Sequence, residues 1–196
     1  MTPETRAFEY ALGLFAVLIG LAVADIATSF HRLVRSKAVL VWDPLALGAA
    51  LYALFMAVCI WFDIWGVRNF AATRHFLFYV SLVAELFVLF LIAAASLPDE
   101  PGQGTDLRAY YAGNRRYFWF LVSLYQLVYL ADGIFFVGGM LLKLPLGYTV
   151  LAFVQMGLPL AVSASLAMVK SRSYHYVALG LLYAIMLYHF VPMAID

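Results

Sequence analysis

The segment FLFYVSLVAELFVLFLIAAASL, residues 76–97, decides the fold class. It carries a single charged residue, Glu85, close to its middle. A helix needs about 20 mostly apolar residues to cross the ~30 Å hydrocarbon core of a bilayer. Backbone groups in hydrocarbon must find their hydrogen bonds within the segment, so a run of this length predicts a transmembrane α-helix.

The composition extends this prediction to the whole chain. Of the 196 residues, 66% are hydrophobic and 12% are charged, whereas soluble domains have about 45–50% and about 25%. The chain therefore falls in the membrane class. A net charge of +1 gives no reason to expect a nucleic-acid partner. The single cysteine, Cys59, lies in an apolar run, which excludes a disulfide framework and a CxxC metal site.

Six apolar segments are long enough to cross a membrane: 9–32, 40–66, 76–97, 116–141, 146–169 and 174–194. We therefore predict an all-α polytopic integral membrane protein that forms one transmembrane domain over residues 1–196. The longest connection, 98–115, is predicted to be an inner loop whose second half is compatible with a short interfacial helix. Gly157 and Pro159 predict a kink in the fifth span.

The lysines and arginines predict the orientation. If both termini lie outside, eight of them fall on the inner side, and these are Arg32, Arg35, Lys37, Arg108, Arg115, Arg116, Lys170 and Arg172. The outer side then holds four, namely Arg6, Arg68, Arg74 and Lys143. This excess predicts that the N- and C-termini are both outside.

Six spans also divide into two halves of three, the arrangement of a 3+3 inverted repeat. Aligning the halves places Ala24-Asp25 on Ala131-Asp132 and Pro44 on Pro145. Unrelated helices of similar composition would give equally few identities, so both interpretations stay open.

Three acidic residues lie deep in predicted spans: Asp25, Glu85 and Asp132. An ionised carboxylate near the bilayer centre costs ~2.5–3.5 kcal/mol on insertion scales, and no lysine or arginine is predicted at comparable depth. Asp43 and Asp63 fall near the ends of the second span, where we expect water or headgroups to reach them. Hydroxyl and amide groups at similar depth are Ser29, Ser81, Tyr125, Tyr129 and Gln155.

Two interpretations of these polar groups stay open. They can line a hydrated path for protons or cations, or they can form a hydrogen-bonded cluster that fixes helix packing. The first predicts a small channel or transporter, with membrane lipids around it and a homo-oligomeric or larger assembly.

The four histidines suggest a different function. His175 and His189 lie within about 40° of each other around the sixth span and ~21 Å apart along it. In the predicted topology His31 shares the level of His175, and His75 shares that of His189. Two stacked histidine pairs are the layout that a di-haem b protein needs, and the spacing on the sixth span resembles that of transmembrane cytochrome b proteins. This alternative is an electron-transfer protein; otherwise we expect no cofactor and no metal.

Sequence motifs for enzymes are missing. The chain has no GxSxG, HExxH, P-loop or GxGxxG pattern, which favours a protein that is not an enzyme. Six spans with the segment DLRAYYAGNRRYFW before the fourth resemble small bacterial inner-membrane proteins, and the resemblance implies no activity. A third interpretation is a non-conducting accessory subunit of a larger membrane complex.

Overall fold

The computed structural model describes residues 3–36, 40–66, 75–100, 102, 104–143 and 145–190, and these parts of the chain are all-helical. The helices are α1 (Pro3–Arg35), α2 (Pro44–Gly66), α3 (Phe76–Ser96), α4 (Leu107–Asp132), a π-helix (Gly133–Val137), α5 (Gly138–Leu141), α6 (Leu146–Met168) and α7 (Arg172–Phe190). Because α4, the π-helix and α5 follow one another without a break, the described residues form six long helical units.

Five helical segments are long and apolar enough to cross a membrane: Phe8–Arg35, Pro44–Gly66, Phe76–Ser96, Leu107–Val137 and Leu146–Met168. The predicted all-helical membrane fold is confirmed at this level. The sixth predicted span, 174–194, corresponds to α7, which is not among the five. Its residues 191–194 lie outside the described part of the chain.

Small residues set the packing of α2. Ala46, Ala49, Ala53 and Ala57 are buried along one side of the helix, at the spacing of residues that share a helix face. Small side chains let neighbouring helices approach closely in a membrane. The larger Leu51, Val58, Trp61 and Trp65 are exposed, as expected for side chains that face lipid.

The helices pack around α4, which lies between α3 and α6, while α1 packs against α3, and α7 against α2 and α6. Trp119 of α4 and Tyr52 of α2 are among the largest fully buried side chains. Their rings lie 6.1 Å apart between centroids. The core of the bundle is therefore aromatic where α2 meets α4.

The segment before α2 pairs with the segment before α4. Val41 accepts a hydrogen bond from Leu107 N (3.0 Å) and donates one to Thr105 O (3.1 Å). Asp106 caps α4 by accepting from the N–H groups of Arg108 and Ala109, as N-cap aspartates commonly do. The sequence is compatible with a separate interfacial helix here, but residues 107–115 are instead the first turns of α4.

Asp43 and Asp63 lie at opposite ends of α2 and therefore mark the two ends of the bundle. The Asp43 end holds the start of α2, the start of α4 and the connection between α6 and α7. The Asp63 end holds the last turns of α2, the π-helix and the last described turns of α7.

Candidate functional site: a polar pocket at the Asp63 end

A pocket of about 250 Å³ lies between α2, α4, α6 and α7. Its wall combines aromatic rings, thioethers and a few polar groups. The polar or titratable members are Tyr52, Cys59, Asp63, Tyr125, Gln126, Tyr129, Gln155 and His189. Apolar pockets with a few convergent polar groups are the usual form of small-molecule sites in proteins.

Asp63 provides the carboxyl of the wall and His189 its imidazole. His189 Nε2 lies 3.8 Å from Asp63 Oδ1, and both side chains are partly exposed. The sequence placed Asp63 near the end of its span, within reach of water or headgroups. In the structure its carboxyl faces the same pocket as Tyr125, Tyr129 and Gln155.

Glu85 of α3 is buried close to this pocket. Its side chain is 3% exposed, and Oε1 has no hydrogen-bond partner among the described residues. Glu85 interacts electrostatically with Asp132 and Asp63, and Tyr125 lies within range of both Glu85 and Asp63. Three carboxyls on α2, α3 and α4 are therefore brought into one electrostatic group, although Glu85 and Asp132 do not line the pocket itself.

Asp132 is the last residue of α4 and directly precedes the π-helix. Ser81 of α3 is a polar neighbour of its carboxyl, and the Ser81 hydroxyl donates to Phe78 O at 3.1 Å. Single-turn π-helices occur frequently at functional sites. Gly133 lets this turn approach α6, because a Cβ there would collide with the flexible end of Met156, which lines the pocket.

Asp25 is separate from this group. Its electrostatic neighbours are Asp99 and Arg32, and Oδ2 has no hydrogen-bond partner among the described residues. Ser29 is buried one turn further along α1. The structure therefore groups two of the three predicted deep acids with Asp63, and Asp25 has different neighbours.

At the Asp43 end, a hydrogen-bonded chain connects α4 to α7. His175 is 2% exposed, and its Nε2 lies 2.9 Å from Val169 O. Because a carbonyl only accepts, Nε2 carries the proton and Nδ1 accepts from Tyr111 O–H at 2.6 Å. Tyr111 in turn accepts from Trp119 Nε1 at 3.0 Å. Each of these groups is satisfied in a defined direction.

An ion pair lies beside this chain. Asp43, 2% exposed, contacts the guanidinium of Arg172 and caps α2 by accepting from Ala46 N at 3.2 Å. Water or headgroups were expected to reach Asp43; instead it is a buried partner of an arginine 129 residues away.

These contacts bear on the haem alternative. Both ring nitrogens of His175 are engaged, by Tyr111 and by Val169. His31 is exposed on the surface with Arg32 and Asp99, His75 packs beside Phe136, and His189 lies beside Asp63. Within the described residues, no group of three or more His, Cys, Asp or Glu side chains is arranged to hold a metal ion. The arrangement gives the haem alternative no support.

No sequence pattern indicated the contacts of Tyr111, Arg172 was counted only among the inner-side cations, and Asp43 and His175 were assigned other roles. Their contacts join residues 64 and 129 positions apart, and no periodicity reports contacts at such separations.

Comparisons with known proteins add no family to this picture: no family model matches the chain, and no curated protein and no solved structure is similar to it.

Proposed function

We propose that the protein is a membrane transport protein, a channel or carrier, that moves protons or small cations by way of Glu85, Asp132 and Asp63. The observation that carries the proposal is the burial of Glu85 beside two further carboxyls, with one of its oxygens unpartnered among the described residues. Ionisable groups inside a membrane protein are expensive and commonly mark ion or proton pathways.

The electrostatics of the group support cation or proton uptake. Like charges in one site cannot all ionise without a compensating charge. The last arginine of α4 before Asp132 is Arg116, sixteen residues earlier and so ~24 Å away along the helix. The imidazole of His189 can supply one positive charge beside Asp63, and we propose that the group as a whole holds protons or accepts a cation. Asp25 is outside the proposed path, because its charged neighbours are Asp99 and Arg32.

The proposed setting is a bacterial inner membrane, with α7 as the sixth span and both termini outside. The positive-inside rule supports this orientation, since Arg32, Arg108, Arg115, Lys170 and Arg172 gather at the Asp43 end. A 3+3 inverted repeat is supported by Pro44, the first residue of α2, and Pro145, the N-cap of α6. A homo-oligomer or a larger complex belongs to the same proposal.

Flux measurements on purified protein in liposomes test the proposal. An internal pH dye reports protons, and Na⁺ or K⁺ gradients are imposed in separate runs. We expect Glu85→Gln and Asp132→Asn to lower flux at least about tenfold, because removal of one essential acid breaks a proton or cation relay. Asp25→Asn is the matched control and should conduct like the unmodified protein. Equal flux in all four proteins, or none above that of empty liposomes, would overturn the proposal.

A further inference from the structure

We propose that the pocket at the Asp63 end binds a small hydrophobic organic cation with one aromatic ring, its charge beside Asp63 and its apolar part among the tyrosine and methionine side chains. This inference rests on the proposed function, because it names the cargo class, but it concerns a different wall of the site. Asp63 is shared and Tyr125 lies within electrostatic range of Glu85, whereas the methionines and His189 line the pocket and are not among the groups that act on Glu85.

The chemistry of the wall selects a cation that is also hydrophobic. Tyr52, Tyr125 and Tyr129 supply aromatic rings, and Met56, Met156 and Met186 supply polarizable thioethers. Aromatic faces attract organic cations, and quaternary ammonium ligands are typically held by such rings. Thioethers adapt to ligands of varied shape. No lysine or arginine is among the described residues that line the pocket, and its one imidazole lies beside the Asp63 carboxyl, so the wall favours a cation over an anion.

The size of the pocket sets the size of the ligand. A cavity of about 150 Å³ is known to hold benzene, and this pocket measures about 250 Å³. It therefore has room for one ring together with a substituted ammonium group. A bare metal ion would leave most of this volume and its apolar wall unused.

The position of His189 couples binding to a proton. At 3.8 Å from Asp63, a protonated imidazole competes with the ligand cation for the same carboxylate. When the cation binds, the imidazolium releases its proton to solvent, so one positive charge replaces another. The other titratable groups of the described wall, Tyr52, Cys59, Tyr125 and Tyr129, ordinarily ionise only above about pH 8. Among the groups of the wall, Asp63 and His189 therefore determine the pH dependence near neutrality. Outside the wall, Glu85 of α3 acts electrostatically on Asp63.

Binding is measured by calorimetry on the intact purified protein in detergent, with benzyltrimethylammonium as the probe. We expect saturable binding that strengthens at least about threefold between about pH 5.5 and 7.5 and is accompanied by proton release. The neutral isostere, with carbon in place of nitrogen, should bind at least about tenfold more weakly. Equal binding of the two compounds, or no binding of the cation, would overturn the inference.

Variants assign the roles of the two ionisable residues. Asp63→Asn should weaken binding of the cation at least about tenfold, and Asp25→Asn, the control outside the pocket, should leave it unchanged. His189→Gln should retain binding but abolish both its pH dependence and the proton release. Unaltered affinity in Asp63→Asn would contradict the assigned position of the charge.

The unmodified protein provides a test of location that does not depend on variants folding. Cys59 is the only cysteine in the sequence and lines the pocket, so its rate of reaction with methyl methanethiosulfonate reports occupancy there. Saturating benzyltrimethylammonium should slow the reaction severalfold. Binding without this protection would place the ligand elsewhere and overturn the inference.

The two proposals can fail separately. Proton flux that depends on Glu85, combined with no binding of the organic cation, would leave the proposed function standing and remove this inference. Binding at Asp63 with no flux in liposomes would leave this inference standing and remove the proposed function.

Discussion

At the Asp43 end of the bundle, Trp119, Tyr111 and His175 satisfy one another in a directed chain, and Asp43 is paired with Arg172. Near the middle of α3, Glu85 is equally buried but keeps an oxygen without a partner among the described residues. Asp25 of α1 likewise keeps an oxygen without a partner in the described part of the chain, so the difference lies between these two acids and the satisfied groups around His175.

Buried polar groups can have two roles, and the completeness of their hydrogen bonds distinguishes the two. Satisfied polar groups fix the relative positions of helices, because breaking any one bond leaves another group exposed to an apolar environment. An unsatisfied acid lowers stability and is retained where it binds something. The hydrogen-bonded chain and the ion pair at the Asp43 end are therefore expected to hold the helices together, and the carboxyl group around Glu85 is expected to act.

The largest expected effect is the loss of the ion pair at the Asp43 end. Arg172→Met leaves Asp43 buried without its charged partner, and we expect the free energy of unfolding to fall by about 2–3 kcal/mol. This expected loss is smaller than the loss usually found when a fully buried ion pair is broken, because the Arg172 side chain is 34% exposed. Thermal unfolding in detergent, followed by the reactivity of buried Cys59, measures the change.

The double variant Asp43→Asn/Arg172→Met is the control for that experiment. Removing both charges should be less damaging than the sum of the two single substitutions, because no unpaired carboxylate remains. Additive effects would show that the two residues act independently.

A matched pair of tyrosines compares the two ends directly. Tyr111→Phe removes the partner of both His175 Nδ1 and Trp119 Nε1, so we expect a loss of about 2 kcal/mol. Tyr129→Phe removes a hydroxyl that has no described hydrogen bond in the pocket wall, and its effect should stay within about 0.5 kcal/mol. Similar losses in the two variants would remove the distinction between the ends.

Glu85 should give an effect of the opposite sign. Glu85→Gln replaces an unpartnered acid with a neutral group of the same shape, and we expect a gain in stability of about 1 kcal/mol. Asp99→Asn, at an exposed position, serves as the control and should change little. A clear loss of stability in Glu85→Gln would mean that the Glu85 carboxyl makes stabilising interactions in the folded protein.

The smallest expected effect concerns the glycines around the π-helix. A Cβ at Gly133 collides with Met156, whereas a Cβ at Gly139 has no neighbour within 4 Å. Gly133→Ala should lower stability by less than about 1 kcal/mol, because the methionine end can move. Gly139→Ala should be neutral or raise stability slightly through its backbone. The same loss at both positions would contradict a close approach specific to Gly133.

The sequence predicts the helices well, because length and hydropathy determine them locally. It also predicts that Glu85 and Asp132 lie deep in their spans, since each is surrounded by apolar residues of its own helix. The start of α2 at Pro44 follows from the same local chemistry, because proline fits the first helical position.

The neighbours of each acid could not be predicted in the same way. Lipid is as apolar as the protein interior, so a buried residue such as Leu89 and an exposed one such as Phe87 look alike in a hydropathy pattern. Without an amphipathic period, the rotation of each helix is undetermined. That rotation decides whether Ser81 faces Glu85 or Asp132, and whether Asp25 joins the other acids.

The π-helix has a geometric consequence for the chain that follows it. A π-turn contains one residue more than the α-helical turn it replaces, and one residue corresponds to a rotation of about 100°. Deleting a single residue within Gly133–Val137 would restore a regular helix, but it would also turn α5 by about that angle. Leu141 now faces the pocket; after such a deletion it would point away from it. The wall between Asp132 and α6 is therefore expected to be sensitive to the deletion of a single residue, because the deletion changes the direction of every later side chain in α5.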